Sequence, residues 1–302
     1  MEEATLKIGL NILPLRASVV AEGGRVAEEC GFSSVWLGEH LFAPVRMESA
    51  YMSGEEKLPF DHDSPMLDPM LVLASIAAVT RTIRLGVGIY LIALRHPLLT
   101  AKSFATLDAL SGGRFDFGYG VGWLREEFDV LGVDFTARGK IADEALKVME
   151  VLFRDRVPSI ETEHFKLPPM GFEPKPTTSR FIGGGYSPPA WRRAATQDGW
   201  YGRIDRLDPE TNETGEWNLG KVRDFVGQMR EKVAASGRNP EAFEMIGGIY
   251  RQATREELDQ LAQAGLDEVV INAFPKANGR HFGVTESFDS IYAYAEAIEL
   301  NK

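Results

Sequence analysis

Short apolar segments alternate eight times with longer helix-like segments along the 302 residues of this chain. Strict alternation of this kind predicts parallel strands joined by right-handed helical crossovers. Eight such units, in a chain near the ~250 residues typical of a (β/α)₈ barrel, favour a closed α/β TIM barrel over an open sheet. The predicted strands are 6–12, 33–40, 83–91, 114–120, 180–185, 199–204, 243–251 and 267–274.

Helix start and stop signals support this assignment. Asp68 followed by Pro69 is typical of a helix N-terminus, and Gly31 is placed where a helix would end. Two long stretches, 41–67 and the proline-rich 156–179, lie outside the regular pattern, and loops of that length usually serve as lids, binding loops or hairpin insertions. We therefore expect one barrel domain over residues 1–302, with insertions after strand 2 and before strand 5.

Composition narrows the possible partners. The net charge of −11 argues against nucleic acid and anionic membranes, and no apolar run approaches the ~20 residues that span a bilayer. Cys30 is the only cysteine, which excludes an internal disulfide and a cysteine-based zinc site, and the five histidines lack metal-ligand spacing. The acidic N-terminus has no secretory pattern. We expect a cytoplasmic protein that binds small molecules and no metal.

The active site of a (β/α)₈ barrel lies at the carboxyl ends of its strands. Glu39 and His40 end the second predicted strand, and a histidine beside a carboxylate can relay a proton or steady a ligand carbonyl. The alternative is a surface glutamate followed by a capping histidine. The same rule also selects Asn11, Gly88, Ile89, Gly118 to Trp123, Gly183 to Gly185, and Asn272.

Two glycine-rich stretches lie at these strand ends. "IGGGYSPP" (182–189) leads into a predicted helix, where free N–H groups and the helix dipole would suit a phosphate; the alternative is a tight strand–helix turn. "DFGYGVGW" (116–123) places Gly118, Gly120 and Gly122 at alternate positions. A flat ligand could approach such a strand closely, or the glycines could relieve crowding in the barrel interior.

The segments "SVWLGEHLF", "IRLGVGIYL" and "LSGGRFDFGYGVGWLREEF" resemble the bacterial luciferase-like flavin and deazaflavin oxidoreductases, most closely their actinobacterial, coenzyme F420-dependent branch. The resemblance covers nearly the whole chain and is most specific over 83–153. It implies a barrel, often a homodimer, that transfers a hydride between F420 and a small organic substrate. An FMN-dependent monooxygenase on the same barrel is the nearest alternative. A non-catalytic cofactor-binding barrel is an alternative of another class.

The resemblance also implies roles for individual residues. Glu39 and His40 match an acidic–histidine pair near the deazaflavin ring and the transferred hydride. His40 would donate or relay the proton, or hold a substrate carbonyl, and Glu39 would orient His40 or the ring. Gly88 and Ile89 match a bulge, commonly with a non-prolyl cis peptide, that supports the ring from behind.

Further matches concern the glycine-rich loops. Gly120 and Gly122 correspond to the loop that passes the cofactor after strand 4. The triplet after strand 5 corresponds to the loop that receives the cofactor phosphate through backbone N–H groups. That triplet consists of Gly183, Gly184 and Gly185.

One departure from the family pattern concerns Trp123. The sugar-phosphate dehydrogenase branch carries a proton-donating glutamate at this position, so that activity is disfavoured and Trp123 would form an apolar wall or a stacking face. Phe42 and Tyr51 belong to the long 41–67 loop, which we interpret as a substrate lid; a disordered or dimer-facing insertion is the alternative. The run "REEFDVLG" (125–132) is interpreted as scaffold.

Overall fold

Eight parallel strands close into a barrel in the computed structural model, which describes residues 6–49, 60–208, 216–274 and 283–300. The predicted α/β barrel is thereby confirmed. Two further strands pair antiparallel with each other, outside the barrel, in the segment before the fifth barrel strand. The strands are β1 (Lys7–Asn11), β2 (Ser34–Leu37), β3 (Arg84–Leu91), β4 (Phe115–Gly120), β5 (Ile160–Glu161), β6 (Lys166–Leu167), β7 (Arg180–Gly184), β8 (Gly199–Arg203), β9 (Glu244–Gly248) and β10 (Glu268–Ile271).

Barrel order follows chain order once the β5–β6 hairpin is set aside, and β10 closes against β1. Helices surround the strands, and in the described part of the chain none is long and apolar enough to cross a membrane. The helices are α1 (Val20–Glu29), α2 (Pro69–Val79), α3 (Pro97–Ser111), α4 (Arg125–Leu131), α5 (Arg138–Arg154), α6 (Pro188–Ala195), α7 (Leu219–Ala235), α8 (Arg255–Gln263) and α9 (Asp289–Ala297).

Helix α4 was not expected, because 125–132 was interpreted as scaffold between strand 4 and its helix. At two turns it is too short to show a helical period in the sequence. It buries Glu127 and Phe128 and ends at Gly132. Helix α2 begins as expected, with the Asp68 side chain accepting hydrogen bonds from two backbone N–H groups of the first turn.

A buried ionic cluster fills the amino-terminal end of the barrel. The fully buried Asp116 carboxylate accepts hydrogen bonds from Arg180 at 2.8 and 2.9 Å and also binds Arg84. Burial alone would raise the pKa of Asp116, but these guanidinium groups hold it below its usual value. The neighbouring Glu268 is also buried and binds Ser34.

Aromatic rings fill the middle of the barrel. Trp36 on β2 stacks on Tyr201 on β8, with ring centroids 4.9 Å apart and planes at 13°. The Trp36 indole also lies where Gly86 on β3 would carry a side chain. Together with the ionic cluster, these rings make the lower barrel a packed core. A ligand site must therefore lie above them, at the carboxyl ends of the strands.

Candidate active site

The bulge predicted at Gly88–Ile89 is present. The peptide bond between these residues is cis, and the β3–β4 register shifts between Val87 and Tyr90. The side chain of Ile89 is partly exposed at the barrel mouth. The structure thus agrees with the backbone feature that the family resemblance implied at this position.

The glycines of β4 make room for this bulge. A Cβ atom on Gly118 would overlap the Val87 carbonyl oxygen, and one on Gly120 would overlap the Ile89 side chain. On β7, a Cβ on Gly184 would lie 2.7 Å from Cγ2 of Ile89. Of the two interpretations of the alternating glycines, close packing inside the barrel therefore accounts for Gly118 and Gly120. Their contribution to a ligand site is indirect, through the position of Ile89.

Glu39 is bound to the segment that follows the bulge. Its carboxylate, 5% exposed, accepts a hydrogen bond from the Leu91 N–H at 2.7 Å and one from Arg95 at 2.6 Å. Burial raises the pKa of Glu39, and the positive charge of Arg95 offsets part of that effect. Both oxygens of Glu39 therefore bind the β3 side of the mouth.

The carboxylate that contacts His40 comes from Glu127 on α4. Glu127 Oε1 lies 3.2 Å from His40 Nδ1 and accepts the Leu41 N–H at 2.6 Å. The Glu127 side chain is fully buried, and its other oxygen, Oε2, has no hydrogen-bonding partner in the described part of the chain. Sequence interpretation missed this residue; its one signal was a charged side chain immediately before the apolar Phe128.

Two aromatic rings flank His40. The Trp123 ring meets it edge-on with centroids 5.6 Å apart, and the Phe60 ring lies 5.0 Å away. Trp123 and Phe60 thus lie against the His40 ring; the sequence did not indicate Phe60. Of the two predicted lid residues, Phe42 is partly buried and Tyr51 lies outside the described residues.

The beginning of the 41–67 segment is attached to α4 by the residue before Glu127. The Glu126 carboxylate accepts hydrogen bonds from the Glu48 N–H at 2.6 Å and from the Ser49 hydroxyl at 2.6 Å. Partial burial would raise the pKa of Glu126, but the bonds from Ser49 and Glu48 lower it below its usual value. Two consecutive glutamates of one short helix thus bind the beginning of the 41–67 segment and His40.

The triple glycine after β7 forms a sharp turn into α6. Gly183 packs so tightly that a Cβ would lie 2.7 Å from the Ala194 backbone, and Gly185 has a φ of +118°. Pro188 and Pro189 occupy the first positions of α6 and have no N–H, and the Ala190 N–H is capped by Ser187. The first turn of the helix therefore supplies few donors.

Anion donors are found in the turn itself. The backbone N–H groups of Gly185, Tyr186 and Ser187 make no hydrogen bond to any residue that the structure describes. Successive free N–H groups of this kind form a concave site for an anion. The predicted phosphate loop is therefore compatible with the structure. The donors lie in the three residues before α6, not in the first turn of the helix.

Asn11 and Asn272, at the ends of β1 and β10, stabilise the turns that follow. Each carboxamide oxygen accepts a backbone N–H two residues later, from Leu13 and from Phe274, at 3.0 Å. Both side chains are nearly buried. Among the described residues no group of three or more His, Cys, Asp or Glu side chains is arranged to hold a metal ion.

Comparison with known proteins identifies the family. The model of the luciferase-like monooxygenases matches residues 16–299, and the chain belongs to this family of oxidoreductases and monooxygenases. An uncharacterized protein of Mycobacterium tuberculosis (strain ATCC 25618 / H37Rv) is 33% identical over 289 residues, which are 94% of this chain and 93% of the relative.

Solved structures share the fold. An F420-dependent secondary alcohol dehydrogenase in complex with an F420-acetone adduct has a TM-score of 0.76 at 16% identity, covering 99% of each chain. The monooxygenase RslO1 from Streptomyces bottropensis has a TM-score of 0.69 at 20% identity, covering 98% of this chain and 97% of that one. The family model and the mycobacterial relative confirm the family that the motifs indicated. At 16% and 20% identity, the two solved structures show the shared fold alone.

Proposed function

We propose that this protein transfers a hydride between coenzyme F420 and a small organic substrate at the mouth of the barrel. The observation that carries the proposal is the arrangement of His40 between Trp123 and Phe60, just after the strand that pairs with the bulged strand β3. An imidazole ring at the same barrel mouth as a partly exposed apolar side chain suits a reaction in which a proton accompanies a hydride.

The residues present fit the cofactor. Ile89 is seated between Gly120 and Gly184 and offers an apolar surface to the face of a flat ring. The three free N–H groups from Gly185 to Ser187 offer donors to a phosphate. Backbone donors bind an anion without a basic surface, which reconciles phosphate binding with the net charge of −11.

When bound, F420 supplies hydride chemistry at carbon 5 of its deazaflavin ring. The side chains of the protein move the proton, limit access of water and position the ring. His40 donates a proton to, or withdraws one from, the substrate oxygen, while Trp123 and Phe60 limit access of water to the ring. Glu39 fixes the segment after the bulge through the Leu91 N–H and Arg95, and thereby fixes Ile89.

An FMN-dependent monooxygenase is the second candidate. The description of the family and the shared fold with a monooxygenase favour it. Such an enzyme would activate O₂ at the flavin, which a 5-deazaflavin does poorly. Both candidates use the same mouth, so the cofactor decides between them.

Fluorescence titration of the purified protein with F420 and with FMN separates the candidates. We expect saturable binding of F420, and turnover with a panel of ketones or secondary alcohols. His40→Ala should keep F420 affinity and lose turnover, whereas the control His164→Ala, at the β5–β6 hairpin, should keep both. Tight FMN binding with no response to F420 would instead support the monooxygenase. F420 binding without any turnover would support a non-catalytic barrel.

We further propose that the protein is a homodimer. Helix α2, with the sequence PMLVLASIAAV, contains no charged residue, yet Leu71 on its outer side is 74% exposed. Leu99 and Leu110 on the adjacent α3 are 65% and 63% exposed. A helix that is apolar all round is normally buried on all sides, and a second copy of the chain would supply the cover.

A further inference from the structure

Glu127 is a buried carboxylate with one ion-pair partner among the described residues. No Lys or Arg of the described chain lies within ion-pair distance of it, and the recorded pair is with His40 Nδ1 at 3.2 Å. Glu39, the other buried carboxylate at this mouth, has Arg95 at 2.6 Å. A buried carboxylate charge is strongly unfavourable unless it is paired. His40 is the ionisable side chain placed to pair with Glu127.

The contact also fixes the orientation of the His40 ring. Glu127 Oε1 receives the Leu41 N–H, so the carboxylate is anchored to the backbone next to the ring that it contacts. Nδ1 is then the nitrogen that donates to the carboxylate. Nε2, on the opposite side of the ring, makes no hydrogen bond to a residue that the structure describes, and the His40 side chain is 15% exposed.

We propose that Glu127 is the positioning residue of His40, holding the ring through Nδ1–H so that Nε2 carries the exchangeable proton at the barrel mouth. Among the described residues, Glu127 is the ionisable group that contacts the ring. Trp123 and Phe60 are apolar neighbours, and Glu39 is engaged by Arg95 and Leu91. The role in turnover rests on the proposed function, but the orientation of the ring does not.

The structure offers a matched control for this pair. At the β5–β6 hairpin, Glu144 on α5 lies 3.1 Å from His164 Nδ1 and accepts the His164 N–H at 2.9 Å. The chemistry is the same as at His40: one carboxylate, one Nδ1 and one backbone N–H. Glu144→Gln therefore reproduces the loss of charge at a glutamate–histidine pair away from the mouth.

The test combines steady-state kinetics with ¹⁵N NMR of histidine-labelled protein. Glu127→Gln keeps the shape of the side chain and removes its charge. We expect kcat to fall by roughly 10- to 100-fold, by analogy with carboxylates that orient metal-ligating histidines, with F420 affinity retained. Glu144→Gln should leave kcat unchanged. In the wild-type protein, the neutral His40 ring should be protonated at Nδ1, and Glu127→Ala should populate both tautomers.

The outcomes separate this inference from the proposed function. Wild-type kcat in Glu127→Gln, or an Nε2–H tautomer of His40 in the unchanged protein, would overturn the positioning role. The tautomer is measured without cofactor, so failure to bind F420 would refute the proposed function and leave the NMR result as the test. If Glu127→Ala does not fold, the isosteric glutamine variant and the wild-type spectrum still decide the matter.

Discussion

The Ile89 side chain occupies the space above Gly120 on the neighbouring strand, so closely that a methyl group on Gly120 would overlap it. The bulge of β3 and the missing side chain on β4 are therefore two halves of one feature. Gly184 on β7 leaves room for the other side of the Ile89 side chain. The position of the platform at the barrel mouth depends on all three residues.

We predict that Gly120→Ala destabilises the protein by roughly 1–3 kcal/mol, the usual cost of overpacking a core, and weakens cofactor binding by displacing Ile89. Combining it with Ile89→Ala should recover part of the stability, because the smaller side chain no longer overlaps the methyl group added at residue 120. Urea unfolding of the single and double variants measures this coupling. Gly227→Ala, on α7 with no atom within 4 Å of the added Cβ, is the control and should not destabilise. If the two losses of unfolding free energy simply add in the double variant, the packing of Ile89 against Gly120 does not limit stability.

Arg95→Met should expose the cost of the buried Glu39 charge. Without the guanidinium, the pKa of Glu39, already raised by burial, rises further. A group whose pKa is raised in the folded state contributes stability below its unfolded pKa and loses it as pH increases. We therefore expect a loss of roughly 3–5 kcal/mol near pH 8 and a smaller one near pH 5. Unfolding at both values checks this, and an equal loss at both would refute it.

The turn after β7 predicts a selective effect on cofactor binding. Gly185 has a φ of +118°, so an alanine there is strained and brings its Cβ to 2.9 Å from that of Ala190. Gly185→Ala should shift the free N–H groups and weaken F420 binding by about tenfold, the equivalent of losing one hydrogen bond to a charged group. 5-Deazariboflavin, which lacks the phosphate, should bind both proteins equally. An equal loss for both ligands would argue against a phosphate site here.

Glu28 links α1 to the loop before β3 and predicts an acid-sensitive contribution to stability. Burial would raise its pKa, but the N–H groups of Ile83, Thr82 and Arg81 together lower it to about 2. A group with a depressed pKa stabilises the fold above its unfolded value, here 4.5, and loses that contribution as pH falls toward 2. Glu28→Gln should cost about 1–2 kcal/mol near pH 7, after discounting for solvent screening. The difference from wild type should shrink below pH 4.5; a constant difference would contradict the assignment.

The proposed homodimer is tested on the outer side of α2 and α3. Leu71→Glu combined with Leu99→Glu places charges on two exposed leucines and should convert a dimer into a monomer without unfolding it. Sedimentation or light scattering measures the mass. Val157→Glu, an exposed apolar residue before β5, is the control and should leave the mass unchanged. A wild-type monomer would refute the proposal.

The barrel was predictable from the sequence because its strands are short apolar runs and several helices, among them α2, α3 and α6, begin at a capping residue followed by proline. The order of the strands followed from their parallel direction. The partners of the site residues did not, because they come from distant parts of the chain. Glu127 is 87 residues from His40, and Glu39 binds Arg95 across 56 residues. Only the folded barrel brings these groups together.

The glycines illustrate the same limit. Their spacing in β4 was visible, but their neighbour, the Ile89 side chain, depends on a register shift between two strands. At the turn after β7 the sequence indicated donors from the helix N-terminus. The two prolines and the Ser187 cap remove those donors, and the free N–H groups precede the helix. Side-chain packing and capping decided both cases.

The packed lower barrel has a consequence for the order of events. Asp116 with its two arginines closes the amino-terminal end, and the Trp36–Tyr201 stack fills the middle. A ligand that binds in the upper barrel must therefore both enter and leave at the carboxyl ends of the strands. If two ligands bind there one above the other, the deeper one must bind first and leave last.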